Sequence, residues 1–204
     1  MKNTSSTQSQ PKGTVEFIED AAAAVLSLTQ KITRIEGIIS LITKTLVNGG
    51  KVLAAGNGGS AAEAMHLAEE LSGRYKNDRQ ALPGISLCSD GTVLTCIAND
   101  YGFEKVFSRQ VEALGAAGDV LVLFSTSGNS DNLTAAAKQA KEQGLSVIAL
   151  LGGNGGSLLA SGNVTLEICV TGTAGAHVQE AHQVLIHAIL EQVDATFTNI
   201  SKTG

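Results

Sequence analysis

The sequence predicts an α/β protein, a three-layer α/β/α sandwich around a mainly five-stranded parallel sheet, with N-terminal helices ahead of it. From residue 51 onward, short apolar runs alternate with segments of helical periodicity. Strands covered on both faces have this uninterrupted apolar character, and parallel strands need a crossover helix between them. The 204 residues suffice for one domain with a sizeable core. Aromatic residues make up only 3% and Trp is absent, so that core is aliphatic.

A polar tail and two helices are predicted ahead of the first strand. Residues 1–13 are polar, lack the apolar core of a signal peptide and are predicted to form a disordered tail. Residues 14–50 are predicted to form two helices for oligomerisation, the second ending at Gly49-Gly50 as a glycine C-cap. Their apolar faces comprise Ile18, Ala22, Val25, Leu26 and Leu28 in one, and Ile35, Ile38, Ile39, Leu41, Ile42 and Leu46 in the other. This surface exceeds what a small sheet needs for cover, and the surplus predicts an interface between subunits.

Residues 51–200 are predicted to form the α/β part of the same single domain. The predicted strands are Val52–Ala55, Ile85–Leu87, Val120–Phe124, Val147–Leu151 and Leu166–Val170, and the predicted helices are 60–73, 104–115, 131–143 and 176–198. In open sheets of parallel strands, ligands bind beyond the carboxyl ends of the strands. The loops at those ends are therefore the first candidates for a functional site.

Composition and charge exclude several classes of protein. The net charge is −5 and the 14 basic residues form no stripe, which argues against nucleic acid as a partner. No apolar run approaches the ~20 residues needed to cross a bilayer, so no membrane partner is expected and the chain is expected to be soluble. The three cysteines, Cys88, Cys96 and Cys169, lie far apart and none pairs at metal-ligand spacing. We interpret them as small core residues of a reduced, cytoplasmic protein.

Two loops carry most of the functional information. Gly56–Ser60, with the sequence GNGGS, follows the first predicted strand, and Ser125–Ser130, with the sequence STSGNS, follows the third. Each loop leads into an Ala-rich helix, so free backbone N–H groups at a helix N-terminus face the crevice, where the helix dipole favours an anion. Glycine allows close backbone approach in the first loop, and the second adds a fork of hydroxyls. The pattern predicts a phosphate-bearing ligand held without an arginine.

The first loop has two features that weaken it as an isolated signal. The pentapeptide GNGGS recurs at Gly153–Ser157, where the following segment is too short for a good helix, so contact between this second copy and a ligand stays open. The first copy also fits the dinucleotide fingerprint G-x-G-x-x-G/A through Gly56, Gly58 and Ala61. The acidic residue that this fingerprint requires would be Asp90, much farther along the chain than the usual spacing of roughly 20 residues. A nicotinamide enzyme is therefore a minor alternative, and no nucleotide cofactor is predicted.

The helix after the first loop carries a pair of residues that could perform chemistry. His66 and Glu70 are four residues apart and share one helix face. Such a pair can bind a divalent metal or transfer a proton, although a solvated pair is the simpler interpretation when it is taken alone. His187 lies off the buried stripe of the last helix, and three of the four histidines fall within residues 177–187. Because the histidines are concentrated in this way, a functional role for these residues is as well supported as the interpretation as a solvated pair.

Several dispersed motifs together resemble the bacterial phosphoheptose isomerases, which are sugar isomerase (SIS) domain proteins. The motifs are Gly56–Ser60, Ala64–Tyr75, Asn99–Phe103, Phe107–Arg109, Ser125–Ser130 and Gln179–His182. The resemblance extends from about Thr14 to Phe197. It implies the SIS fold, a homotetramer with active sites at subunit interfaces, and the interconversion of sedoheptulose 7-phosphate and D-glycero-D-manno-heptose 7-phosphate through an enediol. That reaction is the first step toward nucleotide-activated heptose for lipopolysaccharide or surface glycans.

The resemblance also implies roles for individual residues. Glu70 and His187 match the catalytic pair, with Glu70 as the base and His187 as its partner at the substrate oxygens. His66, Glu70, Gln179 and His187 match the metal ligands, and one zinc ion per subunit is expected. The substrate-binding matches are Asn57, Gly58, Gly59, Ser60, Glu70, Asn99, Asp100, Ser125, Thr126, Ser127, Ser130 and Gln179. A tight metal ligand is a poor free base, so the role of the metal stays open.

The chain departs from the resembling family at one place. Ala176-His177 stands where an acidic residue followed by arginine is expected, which leaves the substrate preference open. A non-catalytic alternative also exists within the fold: a tetrameric adaptor that associates with a replication initiator keeps the sheet and loops but loses the helical histidine and glutamate. Retention of His66, Glu70 and His187 favours the isomerase. Another phosphosugar isomerase or binding protein is the remaining alternative.

Overall fold

The sheet has five parallel strands. The computed structural model describes residues 12–172 and 174–203. The strands are β1 (Val52–Gly56), β2 (Gly84–Ser86), β3 (Val120–Ser125), β4 (Ser146–Gly152) and β5 (Leu166–Val170). Their spatial order is β2-β1-β3-β4-β5, with every neighbouring pair parallel. The predicted sheet is confirmed, and all five predicted strands are found within one or two residues of their expected ends.

Helices cover both faces of the sheet. They are α1 (Thr14–Leu26), α2 (Ile32–Val47), α3 (Gly59–Ser72), α4 (Gly91–Tyr101), α5 (Ser108–Leu114), α6 (Asp131–Glu142), α7 (Gly156–Ala160) and α8 (Gly175–Thr203), with 3₁₀ turns at Ser27–Lys31 and Phe103–Lys105. The first three helices and α8 pack on one face, and α4 to α7 pack on the other. Successive strand residues point to opposite faces, so Val122 contributes to the first core and Leu123 to the second. The predicted three-layer sandwich is confirmed.

The register of the strands brings the two candidate loops together. Gly56, the last residue of β1, pairs with Phe124 of β3, and Ser125 then ends β3. Because β1 and β3 are neighbours and parallel, the loops that leave them meet at one edge of the sheet. The helices α3 and α6 begin at these loops and run back along opposite faces.

The segment between β2 and β3 differs from the prediction. A single helix was expected at 104–115, whereas the structure has a 3₁₀ turn, the short helix α5 and, before them, the unpredicted helix α4. Residues 91–101 contain Gly, two Thr and Val, which are poor helix formers, so their helical signal is weak. The N-cap stabilises α4 instead: Asp90 Oδ1 accepts hydrogen bonds from Thr92 N (2.9 Å) and Val93 N (3.1 Å).

The N-terminal helices are part of the main core, and they also leave apolar surface exposed. Their buried side chains include Leu28, Ile38 and Ile42. Six of their large apolar side chains are at least 41% exposed: Val15, Phe17, Ile18, Leu26, Ile32 and Val47. Gly49 follows α2 with φ +82°, which confirms the predicted glycine C-cap. Of the predicted disordered tail, residues 1–11 lie outside the described part of the chain, and Lys12 contacts Glu16 and Asp20 of α1.

Two further expectations concern the burial of the cysteines and the crossing of a membrane. Cys88 and Cys169 are half-buried, and burial raises the pKa of both thiols. The interpretation of all three cysteines as core residues is wrong for Cys96, which lies on the outer face of the unpredicted helix α4 and is exposed. Among the described residues, no helix combines the length and the apolar character that a membrane crossing requires.

Candidate active site

The loop between β1 and α3 is shaped by glycine. Gly58 has φ +59° and occupies the N-cap position of α3, where it offers no capping side chain. At Gly59, an added Cβ would lie 2.3 Å from Nε2 of Gln179, so the Gln179 amide packs directly on the backbone of this loop. Ser60 is buried at the start of the helix. The loop therefore opens the N-terminus of α3 and brings a side chain of α8 against it.

The loop between β3 and α6 contributes hydroxyls. The Ser125 hydroxyl accepts a hydrogen bond from Gly128 N at 3.0 Å, and that of Ser127 accepts one from Asn129 N at 3.2 Å, so the loop folds around its own side chains. Ser130 is the N-cap residue of α6, yet its side chain makes no capping hydrogen bond and stays available. Both helix N-termini thus present polar groups at the same edge of the sheet.

The two loops and α8 enclose one small polar cavity of about 100 Å³. It is lined by Asn57, Ser60, Phe124, Ser125, Thr126, Ser127, Ser130 and Gln179. Every polar side chain in this lining is a hydroxyl or an amide, which suits the oxygens of a phosphate or a sugar. Seven of these eight residues were predicted as substrate contacts; Phe124 is the addition.

An amide pair that the sequence does not reveal joins the two loops. Asn57 Nδ2 donates to Asn132 Oδ1 at 3.0 Å, and Asn132 Nδ2 donates back to Asn57 Oδ1 at 2.9 Å. Asn132 is 3% exposed in the first turn of α6. The reciprocal bonds fix the orientation of Asn57. The signal in the sequence for Asn132 is an asparagine two residues after the N-cap Ser130, but its partner is defined only in three dimensions.

The second GNGGS copy packs against the loop Ser125–Ser130, the hydroxyl loop, and holds it by hydrogen bonds. Leu158 N donates to Gly128 O at 2.8 Å, and Ser157 N donates to Asn129 Oδ1 at 3.0 Å. An added Cβ on Gly128 would lie 2.1 Å from Gly155 O, so the two backbones touch. The described contacts therefore give Gly153–Ser157 a supporting role.

A second group of polar side chains lies between α3 and α8. His66 Nε2 is 3.3 Å from His187 Nε2 and 3.8 Å from Glu70 Oε1. Tyr75 stacks on the His187 ring with 6.1 Å between ring centroids and 26° between ring planes. His66 and Glu70 are half-buried, whereas His187 is exposed at the edge. The structure thus brings together three of the four predicted metal ligands and both predicted catalytic residues.

The donor set of this group fits a divalent metal such as zinc. Ligand atoms of His66, Glu69 and Glu70 lie within 4.8 Å of one another. Two imidazole nitrogens that face each other cannot both carry a proton without repulsion, and imidazole with carboxylate is a donor set that zinc prefers. Glu69 joins the group without having been predicted. Gln179, predicted as a ligand, lies in the loop cavity against Gly59.

A buried pair next to the cavity was missed by the sequence reasoning. Glu63 of α3 is 2% exposed and His182 of α8 is fully buried, and their Oε1 and Nδ1 atoms are 3.3 Å apart. The contact lacks hydrogen-bond geometry, so both carboxylate oxygens of Glu63 have no hydrogen-bond partner among the described residues. The His182 ring packs edge-on against Phe124, which lines the cavity. The pair is a close contact between the first half of α3 and α8.

Four other residues singled out in the sequence lie outside the cavity and the histidine group. Asn99 and Asp100 are exposed at the end of α4 and bond to each other, with Asn99 Nδ2 2.7 Å from Asp100 Oδ1. Asp90, the residue that a dinucleotide site would use, is the N-cap of α4. His177, at the departure from the family pattern, is buried; it lies 2.9 Å from Glu180 Oε2, and its ring packs 4.4 Å from that of Phe17 in α1.

Comparison with known proteins identifies the class and then the family. The parallel sheet with its paired loops is that of a SIS domain, and the SIS domain family model matches residues 16–152, more than half of the chain. A phosphoheptose isomerase from Campylobacter concisus is 52% identical over 157 residues, covering 77% of this chain and 82% of that protein. The chain belongs to the phosphoheptose isomerase family.

Solved structures agree with this assignment. The phosphoheptose isomerase from Neisseria gonorrhoeae has a TM-score of 0.83 at 40% identity, covering 89% of this chain and 96% of that one. The enzyme from Francisella tularensis has a TM-score of 0.82 at 31% identity, covering 90% of this chain and all of that one. The chain therefore spans nearly the full length of both.

Proposed function

We propose that this chain interconverts sedoheptulose 7-phosphate and D-glycero-D-manno-heptose 7-phosphate, the first step toward nucleotide-activated heptose for lipopolysaccharide or surface glycans. The observation that carries the proposal is the two-part site: α3 and α8 each contribute to the hydroxyl-lined cavity and to the His66–Glu70–His187 group. A phosphosugar isomerase needs a binding site for the remote phosphate and a base at the other end of the substrate.

The cavity would hold the phosphate through neutral donors. Hydroxyls of Thr126, Ser127 and Ser130 and the open N-termini of α3 and α6 converge there. Hydrogen bonds to a charged oxygen are roughly twice as strong as neutral ones, and both helix dipoles favour the anion. The substrate phosphate is thereby held without a buried counter-charge.

The chemistry would be a proton transfer between adjacent carbons. The Glu70 carboxylate takes the proton from C1 of the ketose, the C1–C2 pair becomes an enediol, and the same proton returns to C2 to give the aldose. His187 lies at the edge of the group and would move the hydroxyl proton between the oxygens on C1 and C2. Tyr75 stacks on His187 and fixes its ring plane.

We also propose one zinc ion per subunit, held by His66, Glu70 and His187. Gln179, the fourth ligand predicted from the sequence, packs against Gly59 in the cavity and would have to turn toward the group to bind the same ion. When bound, zinc would polarise the substrate oxygens. Glu70 cannot be fully engaged as a ligand while it acts as the base, so a structural, inhibitory or loosely held ion is equally compatible with the site. Elemental analysis of the purified protein, beside turnover with and without added zinc, separates these roles.

The proposed assembly is a cytoplasmic homotetramer. The exposed apolar side chains of α1 and α2 support burial between subunits, because soluble monomers rarely expose large contiguous apolar surfaces. The exposed Asn99 and Asp100 would then contribute to a site shared with a neighbouring subunit. Nucleic acid and membrane are not among the proposed partners.

Turnover of sedoheptulose 7-phosphate tests the proposal. Glu70→Gln keeps the size of the side chain but removes its basicity, so kcat should fall by at least ~10²-fold, while KM changes much less. Glu112→Gln, on α5 of the opposite layer, is the matched control and should keep native kcat. If the native protein binds the sugar phosphate but shows no turnover with or without zinc, the adaptor interpretation replaces the enzyme.

A further inference from the structure

A buried arginine caps the end of the helix that carries Glu70. The Arg79 side chain is fully buried in the connection between α3 and β2. Its Nη2 donates to the carbonyl oxygen of Glu70 at 2.8 Å, and its Nη1 donates to that of Leu71 at 3.0 Å. The carbonyls of a last helical turn have no partner within the helix, and a cation there also opposes the helix dipole. The guanidinium is therefore bonded directly to the backbone of the proposed base.

An aspartate of α8 binds the same guanidinium. Asp194 is 2% exposed, and its Oδ1 accepts from Arg79 Nε at 3.0 Å. Its Oδ2 accepts from the backbone N and the side-chain Nδ2 of Asn77, at 3.0 and 2.7 Å. Both carboxylate oxygens are satisfied, as a buried ion pair requires. Asp194 and His187 are seven residues apart, two turns along one face of α8.

We infer that Arg79 and Asp194 are positioning residues that fix Glu70 relative to His187. The inference rests on the proposed catalytic roles of those two residues. Glu70 and His187 belong to helices far apart in the chain, and proton transfer requires their side chains to converge on one substrate. The first half of α3 contacts α8 through Glu63 and His182 without a hydrogen bond, so the Arg79–Asp194 pair is the bonded connection between the end of α3 and α8. A misplacement of about 1 Å at a reacting group can lower a rate by 10²-fold.

The variant Asp194→Asn tests the inference against a matched control, Asp119→Asn. Asp119 is 3% exposed, pairs with Lys51, and accepts from Lys51 N and Ala116 N at 2.9 and 2.8 Å, but it lies at the amino end of β3, away from the site. Both variants should lower the melting temperature. Only Asp194→Asn should lower kcat, by about 10- to 100-fold, with KM for sedoheptulose 7-phosphate changed less than about 2-fold.

All rates are measured at a temperature where circular dichroism shows each variant folded. Arg79→Lys is the second variant, for the case that Asp194→Asn does not fold. A single ammonium nitrogen cannot take up the three separate positions from which Nε, Nη1 and Nη2 of the guanidinium donate, so the same loss in kcat is expected. Equal kcat losses in Asp194→Asn and Asp119→Asn, or no loss in either, would overturn the inference.

A double variant separates this inference from the proposed function. If Asp194 acts through Glu70, adding Asp194→Asn to Glu70→Gln should lower the residual kcat by less than about 2-fold. A full further loss would assign Asp194 a general structural role and overturn the inference. Loss of kcat in Glu70→Gln without loss in Asp194→Asn refutes the positioning alone, whereas native kcat in Glu70→Gln refutes the role of Glu70 itself.

Discussion

Gly128→Ala should disable the hydroxyl loop, and the structure gives the size of the effect. Gly128 has φ +66°, a left-handed conformation that costs an alanine about 1–2 kcal/mol. Its new Cβ would lie 2.1 Å from Gly155 O, a backbone atom that cannot rotate away. Overpacking of this kind adds about 1–3 kcal/mol. The total loss in the free energy of unfolding is therefore about 2–5 kcal/mol, with Ser127 and Ser130 displaced from the cavity.

The matched control is Gly153→Ala. Gly153 has φ +59° in the neighbouring loop, but no atom lies within 4 Å of its added Cβ, so only the conformational loss of about 1–2 kcal/mol applies. Urea unfolding at one protein concentration measures both variants, and KM for sedoheptulose 7-phosphate should rise about 10-fold or more in Gly128→Ala alone. Equal losses within 0.5 kcal/mol, as an order-of-magnitude criterion, or an unchanged KM would refute the reasoning.

Three further predictions follow from the site and the surface. Ser127→Ala should raise KM by roughly 10- to 150-fold, because a hydrogen bond to a charged oxygen contributes about 1.5–3 kcal/mol; an unchanged KM would remove Ser127 from the phosphate site. Light scattering at micromolar concentration should give a tetramer, and a mass near the 20.9 kDa of one chain would contradict the proposed interface. Burial raises the pKa of Cys88, so less thiolate is present at pH 8 and alkylation by iodoacetamide should be slower than after unfolding in urea; equal rates would show an accessible, unperturbed thiol.

The elements predicted from the sequence are those with a strong local pattern. The uninterrupted apolar runs of β3 and β4 predict buried strands of a parallel sheet. The glycine and serine residues after these strands, followed by segments of helical character, predict the loops at the strand ends. α4 could not be predicted in this way, because its residues have low helix propensity and its stability comes from the Asp90 cap and from packing on the sheet.

The residues missed at the site are defined by contacts between distant parts of the chain. Asn132 acts through Asn57, His182 through Glu63, and Arg79 through Asp194. Each of these residues is unremarkable in its own segment. The two GNGGS copies also differ only in their distant contacts: Gly59 faces Gln179 of α8, whereas Gly156 faces the hydroxyl loop. Local sequence alone does not distinguish a ligand loop from its support.

The helix α3 runs from the cavity to the His66–Glu70–His187 group and thereby sets the distance between these two parts of the site. Ser60 lies at its start, and with a rise of about 1.5 Å per residue the backbones of His66 and Glu70 lie about 9 and 15 Å farther along the axis. Helical side chains tilt toward the N-terminus, which shortens the gap to the cavity. If the cavity holds the phosphate and Glu70 is the base, as proposed, the substrate has to bridge this separation. The length of α3 would then set the number of carbons between the phosphate and the carbonyl.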